Sequence, residues 1–190
     1  DVPIPNFDDI FEIKRTLTGE VDLVATLGQN YQNAWLYKQD KAVFRGGTTG
    51  CGYTPETNLR IKLCDPAFVS SLKNSAMLDV GLTTITRQYK MDPKSGLGRL
   101  NPADFRVASS LTMEQQSQSK FIIHVDGNVH AYRLLKTMLT ASCILRIMSP
   151  YTSWADTVLK GYDIFEDNMD PREAHYIIVE PGKDNSLQSL

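Results

Sequence analysis

Apolar residues along this chain gather in short runs separated by stretches with helical spacing. Ala42, Val43 and Phe44 make one strand-sized run, and Phe121, Ile122, Ile123 and Val125 make a second. Cys143, Ile144, Leu145, Ile147 and Met148 make a third, closed by Ser149-Pro150, and His175 to Val179 makes a last one. Leu78, Val80, Leu82 and Ile85 alternate with smaller or polar residues, the period of a half-buried strand. Between these runs, Leu59, Leu63, Phe68 and Leu72 share a helical face that is bent or broken at Pro66. Ala131, Leu134, Leu135, Met138 and Leu139 recur at helical spacing after the second run. Strands separated by helices predict right-handed crossovers and a mainly parallel, doubly wound α/β sheet.

The remaining segments are less periodic. Residues 1–40 read as a connector packing on the lobe formed by 41–190, with a short helix around Asp8 to Ile13. Gln88 to Pro102, broken by Pro93, Gly96 and Gly98, reads as an exposed loop. Thr112 to Gln115 can start a short helix, Trp154 to Leu159 reads as a short amphipathic helix, and Asp163 to Arg172 as a solvated loop. Asp184 to Leu187 looks like the start of another helix.

Chemistry concentrates at two strand-turn-helix junctions. After Phe44 the chain turns to Gly46, Gly47, Thr48, Gly50 and Gly52, and then to Thr54-Pro55-Glu56, a helix start that puts Arg60 about one turn further on. Closely spaced glycines let backbone N–H groups approach an anion, most simply the pyrophosphate of a nucleotide. The spacing matches neither the P-loop nor the dinucleotide fingerprint, and the same composition also suits a mobile loop. At the second junction Asp126-Gly127 ends the strand, Asn128 is placed to cap a helix, and Arg133 sits in its second turn. An arginine past each turn suits a phosphorylated ligand at the carboxyl ends of parallel strands. Arg60 could instead be an exposed helix residue, and Arg133 could tie its helix to Asp126 or to a carbonyl.

His124, Asp126 and His130 together suggest a metal site, and strand alternation puts His124 and Asp126 on one face, but the spacing makes no third ligand secure, and packing or hydrogen bonding is the favoured role. His130 is better placed to touch phosphate or sugar. Arg45 follows buried strand residues and suits an internal salt bridge. Cys51 has no matched base near it in sequence. Trp35 and Trp154 suit packing.

Composition narrows the partners. The 190 residues carry a net charge of −2 with pI near 5.9, with no basic excess, so nucleic acid or an anionic membrane is not the expected main partner. Hydrophobic content of 42% with 22% charged residues suits a globular core, and no stretch approaches the roughly 20 apolar residues of a membrane span. Three cysteines, Cys51, Cys64 and Cys143, cannot form a full disulfide framework; reduced thiols are expected, with one disulfide plus a free thiol as the alternative in a secretory compartment. Opening at Asp1 without an initiator Met, the sequence reads as a portion of a longer protein.

Several pieces resemble glycosyltransferase family 90, which includes protein O-glucosyltransferases, capsule-associated xylosyltransferases and proteins of large DNA viruses. The resemblance rests on Phe44-Arg45-Gly46-Gly47, Thr48-Thr49-Gly50-Cys51-Gly52, Glu56-Thr57-Asn58-Leu59-Arg60, Leu78-Asp79-Val80-Gly81-Leu82, Asp126-Gly127-Asn128-Val129-His130-Ala131-Tyr132-Arg133 and His175 to Val179. The TGCG and ETN pieces look closest to the viral branch. The resemblance implies the Rossmann-like donor lobe of a GT-B enzyme. It further implies inverting transfer of glucose or xylose from a UDP-sugar to a hydroxyl of a protein or glycan, without a cofactor or required metal. Donor-binding positions would be Gly46, Gly47, Thr48, Arg60, Asn128, Val129, His130, Ala131, Tyr132 and Arg133. Where the family often has serine this chain has Gly47, so the resemblance implies a lost hydroxyl contact unless Thr48 replaces it. The family's catalytic aspartate lies in a preceding lobe outside this chain. A noncatalytic sugar- or protein-binding module on the same fold is the alternative. The location is open, being the cytoplasm of an infected host cell for a viral protein or the secretory pathway for a cellular one.

Overall fold

The computed structural model describes residues 35–180 apart from 87 and 167–168. The helices expected near residues 8–13 and 184–187, and the connector before residue 35, lie outside the described residues. Six parallel strands form the sheet: β1 Gln39–Gly47, β2 Leu78–Thr84, β5 Ser119–His124, β6 Cys143–Ile147, β7 Gly161–Tyr162 and β8 Tyr176–Val179, in the order β2-β1-β5-β6-β8-β7. This is a Rossmann-like α/β sheet. Its apolar runs are continuous because both faces are covered. Ala42, Phe44, Ile123, Val125, Leu145 and Val179 pack on one side with Leu63. Val43, Ile122 and Ile144 pack on the other side with Leu134 and Ala155.

The helices are short: α1 Leu59–Leu63, α2 Pro66–Ser71, α3 Met113–Ser117 and α4 Leu134–Met138. The break expected at Pro66 separates α1 from α2, where the Asp65 side chain accepts from Ala67 N. The start expected at Thr112 is a reciprocal capping box between Thr112 and Gln115. Two starts fall later in the chain than expected. Thr54 to Thr57 form turns, and α1 is capped by Asn58. The stretch after Asp126 stays irregular until α4 begins beyond Arg133, so Asn128 caps no helix. The segment expected at Trp154 to Leu159 is a single 3-10 turn, Trp154–Thr157. Among the described residues, no helix is long and apolar enough to cross a membrane.

The segment expected as an exposed loop at Gln88 to Pro102 contains an antiparallel hairpin, β3 Tyr89–Asp92 with β4 Gly96–Arg99. Its inward side chains brace the glycine segment. Buried Lys90 donates from Nζ to Gly50 O at 3.0 Å and also to Thr48 O. Buried Asp92 accepts from the Thr57 hydroxyl and from the N–H groups of Lys94 and Ser95 at 2.9 and 3.0 Å.

Chain order explains where a ligand can enter. From β1 the chain runs to β2 on one side, whereas the next strand to join the sheet, β5, lies on the other side of β1. Crossovers therefore diverge between β1 and β5, leaving a crevice beyond their carboxyl ends.

The hydrogen bond from Thr57, followed by those from backbone N–H groups, holds the Asp92 carboxyl down at about 2. A depressed carboxyl stabilises the fold above its unfolded pKa of about 3.9 and loses that contribution as pH falls toward the folded value. The melting temperature is expected to fall between about pH 5 and pH 2. Asp92→Asn should lower it at neutral pH and flatten part of that slope, and an unchanged slope would refute the role of Asp92.

Candidate functional site

Two strand ends meet at the crevice. Strand β1 continues through Gly46 and Gly47, which pair with Leu82 and Thr84 across a register shift between them. Beyond it the backbone takes φ of +122° at Gly50 and +77° at Gly52, where a side chain would be strained. Asn58 then anchors the turn to α1. Its Oδ1 accepts from Arg60 N and Ile61 N, while its Nδ2 donates to Thr48 O and Gly52 O. That double role outcompetes the local start signal at Thr54-Pro55-Glu56.

Cap placement sends Arg60 inward from the first turn of α1, where it is only 7% exposed. Its Nε donates to Asp126 O at 3.0 Å and its Nη2 to Val125 O at 2.7 Å, both just beyond β5. Its Nη1 donates to Thr49 Oγ1 at 2.6 Å and Gly47 O at 3.3 Å, at the end of β1. Four of the five N–H groups thus lace the two strand ends together, and one on Nη2 remains. The guanidinium neither lies on the surface nor points only at a ligand. Burial, followed by repulsion from Arg133, lowers its pKa to about 10, so it stays charged at neutral pH. Gly127 crosses this fork so closely that a Cβ there would stand 2.7 Å from Thr49 Oγ1 and 3.3 Å from Arg60 Nη2.

Arg133 is arranged differently. Nη1 donates to Arg45 O at 2.6 Å, and no other hydrogen bond from its guanidinium is made among the described residues. It is tied to a carbonyl, as one reading of the sequence expected, yet most of its donors stay free. Burial lowers its pKa as well. Both guanidiniums lie near the buried Phe44 ring, Arg60 at 6.0 Å and Arg133 at 5.5 Å from the centroid. The ring gives the cations an apolar floor with a modest cation–π attraction. Arg45 serves elsewhere, in a 2.7 Å salt bridge with Asp79.

The opposite wall is the irregular stretch from Asp126 to Tyr132. Ala131 N donates to Asp126 Oδ1 at 2.7 Å and Gly127 N to Val129 O at 3.0 Å, closing it into a compact loop. Asn128 Oδ1 accepts from Gly50 N at 2.8 Å, joining this loop to the glycine turn instead of capping a helix. Asp126 Oδ2 accepts from the Ser149 hydroxyl at 2.6 Å. Burial alone would raise the Asp126 pKa, but His124, His130, Ser149 and the Ala131 N–H outweigh it and hold the carboxyl well below the usual carboxylate range.

Between these walls lies an open cleft of about 420 Å³. Gly46, Gly47 and Arg60 line it from the β1 side, and Asn128, Val129, His130, Ala131, Tyr132 and Arg133 from the β5 side. Thr48 is absent from the lining. It is fully buried, with Oγ1 accepting from Thr86 N at 2.8 Å. The hydroxyl at the cleft belongs to Thr49, and Gly127 joins the lining too. Their signal in the sequence was membership of the two glycine-rich turns. Cys51 is an exposed free thiol, and Cys64 and Cys143 are unbonded as well.

No family model matches the chain. It is 31% identical over 186 residues to uncharacterized protein 035R of Invertebrate iridescent virus 3, covering 95% of this chain and 16% of that protein. It is 32% identical over 149 residues to uncharacterized protein 179R of Invertebrate iridescent virus 6, covering 70% of this chain and 13% of that protein. More distantly, it is 25% identical over 190 residues to protein O-glucosyltransferase 3 of Rattus norvegicus, covering all of this chain and 31% of that enzyme. The chain thus spans less than a third of the length of each of these relatives.

Arg60→Lys keeps the charge but cannot serve four oxygens in one plane. It is expected to destabilise the protein by about 2–4 kcal/mol in urea unfolding. A change within about 0.5 kcal/mol would show that the lacing contributes little.

Proposed function

We propose that this chain is the donor-binding part of a glycosyltransferase and that its cleft holds a nucleotide sugar. The diphosphate would lie against Arg133, with Arg60 adding charge and one free N–H. The observation that carries this reading is a buried guanidinium, Arg60, beside a half-buried one, Arg133, at the topological switch point, with no carboxylate in ion-pair contact with Arg133 among the described residues. Buried cations are costly unless paired, and a bound anion would complete the pairing. Distant similarity to protein O-glucosyltransferase 3 supports transfer of a sugar, in keeping with the family resemblance of the glycine and Asp126-Gly127 segments.

In this reading the lobe is one half of a GT-B enzyme, and the donor is a UDP-sugar carrying glucose or xylose. The acceptor is a hydroxyl of a protein or glycan. As the bond from the anomeric carbon to the diphosphate breaks, negative charge grows on the leaving phosphate. Arg133 and Arg60, already fixed by the fold, stabilise that charge without reorganising. A carboxylate of the preceding lobe would take the proton of the acceptor hydroxyl, giving inversion.

Calorimetric titration tests the donor reading. The chain is expected to bind UDP and UDP-glucose in preference to NAD. Arg133→Ala should weaken UDP by roughly 10–100-fold, the loss of a charge-assisted contact worth about 1.5–3 kcal/mol. Absence of uridine nucleotide binding in the folded protein would overturn this reading and leave a binding module without donor chemistry.

A further inference from the structure

At the cleft wall, reaching from His130 back into the sheet, lies a cluster of titratable side chains. His124 ends β5 with its side chain 1% exposed, and neither of its ring nitrogens has a hydrogen-bond partner among the described residues. Nδ1 of His130 is likewise buried and unpartnered. Both imidazoles turn toward one oxygen: His124 Nε2 lies 3.5 Å and His130 Nδ1 3.3 Å from Asp126 Oδ1. The loop closure at Ala131 N folds His130 back onto the strand end, supplying the third group that sequence spacing did not.

We propose that His124, Asp126 and His130 form a binding site for a divalent cation of the zinc type. One ligand atom from each residue falls within 4.8 Å of the others. A tetrahedral ion with bonds of about 2.0–2.1 Å keeps neighbouring ligand atoms about 3.3–3.4 Å apart, close to the two spacings through Asp126 Oδ1. An octahedral ion with bonds of that length would need about 2.9–3.0 Å. Two imidazoles and a carboxylate suit zinc or cobalt and not calcium or magnesium, which take oxygen ligands. The Ser149 hydroxyl on Asp126 Oδ2 orients the carboxylate from behind. His130 also lines the cleft, which gives an ion a way in. The site stands whether or not the cleft takes a nucleotide sugar.

Titration of the metal-free protein with Co²⁺ tests it. One ion per chain is expected, with the visible bands of tetrahedral Co²⁺, displacement by Zn²⁺ and a rise in melting temperature on adding Zn²⁺. His130→Ala should lose the bands and at least about tenfold in affinity, while its metal-free form keeps the circular dichroism spectrum of the folded native protein. Equal binding by native protein and His130→Ala, or no Co²⁺ bands and no Zn²⁺ stabilisation of the native protein, would overturn the proposal. The two imidazoles would then serve only as neighbours of Asp126.

Discussion

The crevice depends on a buried cation whose hydrogen bonds are divided between two strands. Arg60 reaches carbonyls beyond β5 with Nε and Nη2, and the end of β1 with Nη1. Parallel strands are joined by ladder hydrogen bonds along their length, but those bonds stop where the strands end. Beyond that point nothing in the sheet itself fixes the distance between the glycine turn and the Asp126 loop. The planar guanidinium fork fixes it, because its donors are rigidly related and burial makes every unmade hydrogen bond expensive. Other features follow from this need. Asn58 sets the start of α1 so that Arg60 points inward, Gly127 leaves room for the fork, and Phe44 supplies a dry floor.

A second constraint comes from placing another cation beside the first. Arg133 approaches the same ring, and each guanidinium sits in a field made less favourable by burial or by its neighbour. Such a pair reduces stability unless negative charge arrives. Asp126 is the nearby carboxylate, but its oxygens are occupied by Ala131 N and the Ser149 hydroxyl. The protein therefore holds two cations beside the crevice in advance of any ligand.

The sheet was legible because burial on both faces leaves unbroken apolar runs. Ala42 to Phe44, Phe121 to Ile123 and Cys143 to Ile147 all lie within strands. Helix starts were less legible, since the strongest local signals lost to tertiary partners. Asn58 reaches back to Thr48 O and Gly52 O, and Asn128 reaches across to Gly50 N. The hairpin was hidden because Lys90 and Asp92, polar residues that normally signal solvent, are buried under the glycine turn. The exchange of Thr48 for Thr49 has a geometric cause. Reading the strand as ending at Phe44 leaves the following side chains unoriented. In fact β1 extends through Gly47 with a register shift, and a one-residue difference reverses which side chain faces in.

The two arginines, equivalent in the sequence, divide the work by how many donors each has left. Arg60 has one uncommitted N–H, so its direct reach to a ligand is small and its effect on binding passes through the geometry of the walls. Among the described residues, Arg133 has spent one donor on Arg45 O and keeps the others. Phosphate recognition by charge alone does not select a nucleotide or a sugar. On the proposed reading, selection would come from the rim, where Val129 and Tyr132 are about half exposed and line the cleft beside Arg133. An exposed aromatic next to a cation can stack on a base or sugar face while the phosphate is held below it. On the proposed reading, affinity for the anion would rest on Arg60 and the half-buried Arg133, both tied into the strand ends. Discrimination rests on surface side chains that can change without disturbing Arg60 and its lacing of the two strand ends.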